Sequence, residues 1–212
     1  MGLFLYTVFM IVIIFGRIAI QYKITGDHGL RPANKKSSPL ARVLSIFWII
    51  ALVAPWIVTG LEAFGTIQPQ FDFGTAGMLT GTGLALAAII IGFIAQLQMG
   101  ASWRIGVDQE EHTALITDGI FAYVRNPIYS TVYLLAIGLV ILIPHWAMLA
   151  SAVFAYFTID TQVRYIEEPY LKRHHGEAYV REYFGRVNRY FPNLLRNIYP
   201  NEDETTPPRA AL

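Results

Sequence analysis

Glu167 and Glu168 stand side by side just past a long apolar run, and Arg164 precedes them by three residues. Arg164, Glu167, Glu168 and Leu171 have the i, i+3, i+4, i+7 spacing that a continuous helix places on one face. Pro169 interrupts or kinks that helix, because proline lacks an amide hydrogen and crowds the preceding turn. Carboxylates emerging from an apolar span mark a functional pocket with their partners; a solvated helix end is the plainer reading. At the head of another apolar run stands Arg125-Asn126-Pro127. Asparagine before proline is a helix start in its own right, and an arginine at such a boundary has an ordinary explanation as a snorkelling anchor. Tyr179, Tyr183, Arg186 and Tyr190 form a further stripe at helical spacing. It suits an amphipathic helix that lies on a membrane or closes over a site, or a plain packing face. Glu168 or a histidine is the candidate base, and no acid–base pair stands out.

Several chemistries are absent. The chain has no cysteine, so neither a thiolate metal site nor a cysteine nucleophile is available. His174 and His175 are adjacent, point to different helix faces and have no third ligand at a suitable spacing, so no metal is expected. There is no phosphate-binding loop, no dinucleotide fingerprint, no zinc-protease helix and no nucleophile elbow.

The elements that must position these groups are apolar. Hydrophobic residues make up 54% of the 212 and charged residues only 15%, and the mean hydropathy is +0.43. Such a composition excludes a disordered chain, a disulfide-stapled module and a strongly basic nucleic-acid binder, and it points to lipid as the main solvent. A helix needs about 20 apolar residues to cross a bilayer core of roughly 30 Å. Five runs qualify or come close: Leu3 to Ile20, Arg42 to Leu61 with a kink expected at Pro55, Thr75 to Met99, Ile128 to Ile143, and Trp146 to about Val163. The first has no basic segment before it and no small-residue cleavage site, so it reads as a retained span. Only Pro144 and His145 separate the last two, which predicts a tight antiparallel hairpin of two short helices.

Basic residues set the orientation. Lys23, Arg31, Lys35, Lys36 and Arg42 follow the first run, Arg104 and Arg125 precede the fourth, and Arg164, Lys172, Arg173, Arg181, Arg186, Arg189, Arg196 and Arg209 follow the fifth. The connections at Phe64 to Gly74 and at Pro144 carry none. With five spans every cation but Arg17 falls on one side, which places the amino terminus outside and the carboxyl terminus in the cytoplasm. The third run carries Gly77, Gly81, Ala85, Ala88 and Gly92 at helical spacing. Small residues in such a stripe let helix backbones approach, within the chain or between two copies of a homodimer. The expected fold is therefore all-α: a polytopic membrane protein of about five transmembrane helices with a cytoplasmic amphipathic C-terminal helix. Its parts are an N-terminal set of helices (1–99), a core of loop, hairpin and C-terminal helix (100–200), and a disordered tail (201–212).

The motifs of residues 100 to 192 resemble the isoprenylcysteine carboxyl methyltransferase family and its phospholipid methyltransferase-like relatives. That family carries a leucine-valine-threonine-x-glycine-x-tyrosine segment, then arginine-histidine-proline-x-tyrosine, a hydrophobic hairpin, a glutamate pair with a leucine, and spaced tyrosines. Here Leu115-Ile116-Thr117-Asp118-Gly119-Ile120-Phe121 is similar to the first and Arg125-Asn126-Pro127-Ile128-Tyr129 to the second. Glu167-Glu168 with Leu171, His175-Gly176, Tyr179 and Tyr183 follow in order. The sequence departs from the pattern at Asn126, where histidine is usual, at Phe121, where tyrosine is usual, and near Ser130 and Thr131, where glycine is usual.

The resemblance implies an integral membrane methyltransferase that uses S-adenosylmethionine and takes a lipophilic or lipid-anchored acceptor from the bilayer. By position, Leu115 and Ile116 contact the cofactor along the backbone, and Phe121 packs on it. Asn126, Pro127, Ile128 and Tyr129 line its pocket, and Glu167 binds a polar or cationic part of it. Arg164 and Arg125 are the candidates for orienting an acceptor carboxylate, with Glu168 beside them. A carboxylate needs an arginine and no general base, whereas an amine must lose a proton. O-methylation is thus the first reading. N- or S-methylation of a lipid or small apolar acceptor is the second, and a transporter or scaffold is the reading from another class. Transporters show repeats and mid-membrane charges, and spans two to four show neither.

Overall fold

The computed structural model describes residues 1–34, 37–106 and 114–193, with the backbone alone for 177–179. Every regular element among the described residues is helical. Two isolated bridges, Leu30 with Ile105 and Val124 with Asn188, tie loops and build no sheet. Helix α1 covers Gly2–Thr25 and widens into a π-helical stretch over Met10–Gly16. Helix α2, Pro39–Ala63, starts as its sequence dictates: Pro39 occupies the first turn and the Ser38 hydroxyl accepts the Ala41 amide at 3.2 Å. It runs on through Pro55. The Tyr6 hydroxyl donates to the Leu52 carbonyl at 2.7 Å, next to the carbonyl that Pro55 leaves without a partner. Helix α3 is Gly74–Met99. Helices α4, Pro127–Leu142, and α5, Trp146–Gln162, form the expected hairpin, and His145 caps α5 by accepting the Ala147 amide at 3.1 Å. A π-helical turn, Val163–Glu167, carries α5 into α6, Glu168–His175, and α7, Glu177–Arg186, follows Gly176.

The expected apolar runs thus fold as helices, the first reaching five residues further than its hydropathy suggests. Three are long and apolar enough to cross a membrane: Gly2–Thr25, Pro39–Ala63 and Gly74–Ser102. Their outward side chains, among them Ile49, Ile57, Leu79 and Ile90, are more than half exposed. In water such a belt would be a severe liability, and in lipid it is the solvated surface. At 16 and 17 residues, α4 and α5 are shorter, each about 25 Å at 1.5 Å per residue. The disorder expected for 201–212 lies outside the described residues, as do Lys35, Lys36, Arg196 and Arg209 of the charge pattern.

The small-residue stripe of α3 is spent inside the chain. A Cβ built on Gly81 would lie 2.8 Å from the Gly138 carbonyl oxygen and 2.6 Å from Leu142, both on the α4 side. One at Gly92 would lie 2.8 Å from the Thr131 hydroxyl. Ala85 and Ala88 are fully buried there with Phe9, Ile13, Leu135 and Leu139. A homodimer through this stripe is thereby set aside, since α4 and α1 already cover it. Gly81→Ala should push α3 off α4 and cost about 1–3 kcal/mol of stability, read as a lowered unfolding midpoint in detergent. Gly83→Ala, where an added Cβ meets open space, should be near neutral.

Candidate functional site

The site gathers where α4 begins, α5 ends and the chain after α7 returns. That returning strand runs parallel to the entry of α4. The Arg125 amide donates to the Asn188 carbonyl at 2.9 Å and the Asn126 amide to the Arg189 carbonyl at 3.1 Å. The Ser130 hydroxyl donates to the Tyr190 carbonyl at 2.6 Å. From the other side, the buried Tyr183 hydroxyl donates to the Phe121 carbonyl at 2.6 Å, holding α7 against the 119–122 turn. Asn126 stands at the N-cap of α4 but its side chain does not cap; it donates to the Arg189 carbonyl at 3.3 Å instead. The capping role expected for Asn126 is replaced by tethering the strand.

Two neighbouring carboxylates then take opposite environments. Glu168 receives both arms of Arg189, Nε to Oε1 at 2.8 Å and Nη2 to Oε2 at 3.0 Å. Arg125 Nη2 also reaches Oε1, at 3.3 Å, and the Arg125 guanidinium sits 3.9 Å over the Phe184 ring. Among the described residues, one carboxylate between two guanidinium groups leaves one positive charge in excess. Burial draws the Arg125 pKa down, opposed mainly by Glu168. The hydrogen bonds to Glu168 raise that of Arg189. Arg125 Nε is buried without an acceptor.

Glu167 has no cation partner among the described residues. Its Oε1 accepts the Tyr129 hydroxyl at 2.5 Å, and Gln162 supplies a second hydrogen bond. Burial holds the carboxyl above its ordinary range, the two hydrogen bonds oppose that shift, and the Glu168 charge adds to it. Tyr129 packs beside Trp48, ring centroids 5.7 Å apart.

The structure therefore brings Arg125, Asn126, Tyr129, Glu167 and Glu168 together. Pro127 and Ile128 complete the first turn of α4 between them. Leu115 and Ile116 are half-buried in the extended segment leading to Gly119, and Phe121 is buried beneath α7. Arg164 does not join. The helix is not the continuous α-helix its spacing assumed: the π-turn Val163–Glu167 resets the register before Pro169, and Arg164 points outward to Asp160, Nε to Oδ2 at 2.6 Å. Both Glu168 oxygens are engaged by guanidinium, so in this geometry it bridges Arg189 and Arg125. The tyrosine stripe is also interrupted, because α7 ends at Arg186 and Tyr190 arrives on the strand, its hydroxyl 3.3 Å from Asp160. Missed from sequence were Arg189 and Gln162. Arg189 lies 21 residues after Glu168 and no local spacing joins them. Gln162 and Glu167 are five residues apart, a separation that a π-helical turn, and not an α-helical one, brings to one face.

Residues 73–178 match the family model described as phospholipid methyltransferase. The chain belongs to the phospholipid methyltransferase family. Among curated proteins, protein-S-isoprenylcysteine O-methyltransferase B of Arabidopsis thaliana is 31% identical to this family member over 155 residues, 72% of each chain. Among solved structures, the eukaryotic intramembrane Ras methyltransferase ICMT, the isoprenylcysteine carboxyl methyltransferase, superposes with a TM-score of 0.57 at 18% identity. The match covers 89% of this chain and 65% of that one, so this methyltransferase-family chain spans just under two thirds of that structure's length and shares its fold. The family model ends before Arg189.

The raised Glu167 pKa has a stability consequence. The folded state holds this proton more tightly than the unfolded chain, so the contribution of Glu167 is favourable below about pH 4.5 and is lost as pH climbs through the folded-state value. Glu167→Gln should remove that slope. Unfolding midpoints of the two proteins measured from pH 4.5 upward should diverge, with wild type falling relative to the variant; parallel curves would contradict the assignment.

Proposed function

We propose that this membrane methyltransferase uses S-adenosylmethionine to methylate a carboxylate on a lipophilic acceptor, at the cytoplasmic face of a five-span bundle whose amino terminus lies outside. The observation that carries the reading is the split environment of the glutamate pair: an uncompensated carboxylate at Glu167 beside a net positive cluster at Glu168. The cofactor, when bound, supplies a methyl group on a cationic sulfur. Its fit rests on Glu167, a carboxylate held inside the protein with hydrogen bonds and no counter-charge, which would hold the cofactor's cationic part. Tyr129 and Gln162 aim that carboxylate, and Leu115, Ile116 and the first turn of α4 would line the remainder.

The excess charge of Arg125 and Arg189 would orient the acceptor carboxylate. A guanidinium fork does so by paired hydrogen bonds, and the unpartnered Arg125 Nε is a ready donor. Methyl transfer from a cation to an anion cancels both charges. The enzyme's part is alignment and exclusion of water, with no proton to move.

The acceptor's apolar tail would lie in the crevice between α1, α2, α4 and α5. The crevice is narrow, about 30 Å³, and would have to widen around a tail; its walls include Phe9, Leu52, Leu135, Leu139 and Met148. Trp48 lines the crevice and also packs on Tyr129, which supports a tail route that leads toward the glutamate pair. The alternation of basic and uncharged connections supports five spans with the carboxyl terminus inside. The 1–99, 100–200 and 201–212 division stands on the same reading.

Purified protein should be thermally stabilised by S-adenosylhomocysteine. Glu167→Ala should abolish that binding in calorimetry, and unchanged affinity would remove Glu167 from the site. Membranes incubated with methyl-labelled cofactor should yield a base-labile methyl ester; a base-stable label would assign nitrogen or sulfur as the acceptor. Arg189→Lys keeps the charge and loses the fork. It should raise the acceptor KM roughly tenfold or more and leave cofactor affinity intact, whereas Arg164→Ala should change the acceptor KM little.

A further inference from the structure

Arg17 is the one cation outside the basic loops, and the proposed chemistry does not use it. It sits in α1 with no exposed surface. Its Nη2 donates to the Gly100 carbonyl, and its guanidinium lies 5.0 Å from the centroid of the Trp103 ring. Nε and Nη1 have no partner, and no carboxylate pairs with it among the described residues. A buried guanidinium without a counter-ion is costly, so its placement calls for a compensating purpose.

Its neighbours make the same connection. Gln21, one turn on, donates to the Ala101 carbonyl at 3.0 Å, and Gln96 donates back to the Ile13 carbonyl at 2.8 Å. That carbonyl belongs to the π-helical stretch of α1. All three side chains are buried. They bind α1 to the last turn of α3 and to the turn that ends it, where Gly100 takes a φ of +52°. Trp103 is then held between Arg17 and Gly29, at which a Cβ would come within 3.0 Å of the indole. The chain beyond is pinned by Ile105 donating to Gly29 and Arg31 to Ile105, both at 2.8 Å.

The same last turn of α3 also faces the site. Gln98 Oε1 accepts the Ile120 amide at 2.9 Å, and a Cβ on Gly119, where φ is +56°, would meet Gln98 at 2.6 Å. The 119–122 turn carries Phe121, whose carbonyl holds Tyr183. One helix end is therefore fixed to α1 by Gln96, Gly100 and Ala101 and holds the candidate cofactor turn through Gln98.

We infer that Arg17 is a positioning residue: through the Gly100 carbonyl it fixes the end of α3, and with it the Gly119–Ala122 turn of the methyl-donor pocket. The inference rests on the function proposed above. It gives α1, which lies outside the matched family segment, a part in cofactor binding without touching the cofactor.

The test uses full-length protein in detergent. Arg17→Met removes the donor and the uncompensated charge at similar volume, so the unfolding midpoint should hold or rise. Two readouts should change together. Hydrogen exchange at residues 119–122 should accelerate, and S-adenosylhomocysteine affinity should fall roughly tenfold, equivalent to about 1.4 kcal/mol. Arg17→Lys, which keeps one donor for the Gly100 carbonyl, should recover most of both. If Arg17→Met does not assemble, Gln21→Leu keeps the charge, loses the Ala101 bond and is judged by the same two readouts. Unchanged exchange and affinity in a folded variant would overturn the inference. Failure of wild type to bind S-adenosylhomocysteine would instead strike the proposed function, while the exchange measurement would still decide whether Arg17 fixes the turn.

Discussion

Glu168 lies between Arg189 and Arg125, and three separate pieces of chain meet at that contact. Arg189 comes from the strand after α7, Arg125 from the segment entering α4, and Glu168 from the first turn of α6. The fork fixes the angle of Arg189, and the backbone pairing of Asn188 and Arg189 with Arg125 and Asn126 fixes its depth. Removing one partner from such a cluster costs more than the pair contributes, because the remaining charges stay partly desolvated. The strand, the hairpin entry and the end of α5 consequently hold their places together. Tyr190 adds an apolar counterpart, its ring edge-on to Tyr133 with centroids 5.0 Å apart.

Satisfying Glu168 is also what sets Glu167 apart. The two residues are adjacent, yet the guanidinium groups reach only one of them, while Tyr129 and Gln162 give the other hydrogen bonds without charge. Consecutive side chains diverge on any helix, and the π-turn sets which partners these two meet, bringing Gln162 to the Glu167 side. Pi-helical turns recur at functional positions. In this chain one leads into the glutamate pair and another lies beside Arg17.

Much of the architecture was legible because lipid imposes length and apolarity on any segment that crosses it. The runs Arg42 to Leu61 and Thr75 to Met99 and the Pro144 hairpin emerged within three residues of their helices. The motif residues Arg125, Asn126, Tyr129, Glu167 and Glu168 were legible by resemblance, and they meet in space. What was not legible is non-local or depends on register. The Arg164 assignment assumed 3.6 residues per turn across a segment that is π-helical. Arg189 is brought in by a strand pairing that leaves no periodic trace. The buried role of Arg17 was hidden because an arginine near a span end reads as an ordinary interfacial anchor.

The backbone contact at Gly81 and Gly138 sets how closely α3 and α4 run together. With glycine against glycine, α4 has no room to yield toward α3. α4 therefore presents Leu135 and Leu139 to the rest of the bundle from a fixed depth. A methyl group added at either glycine would be transmitted to every wall that α4 provides.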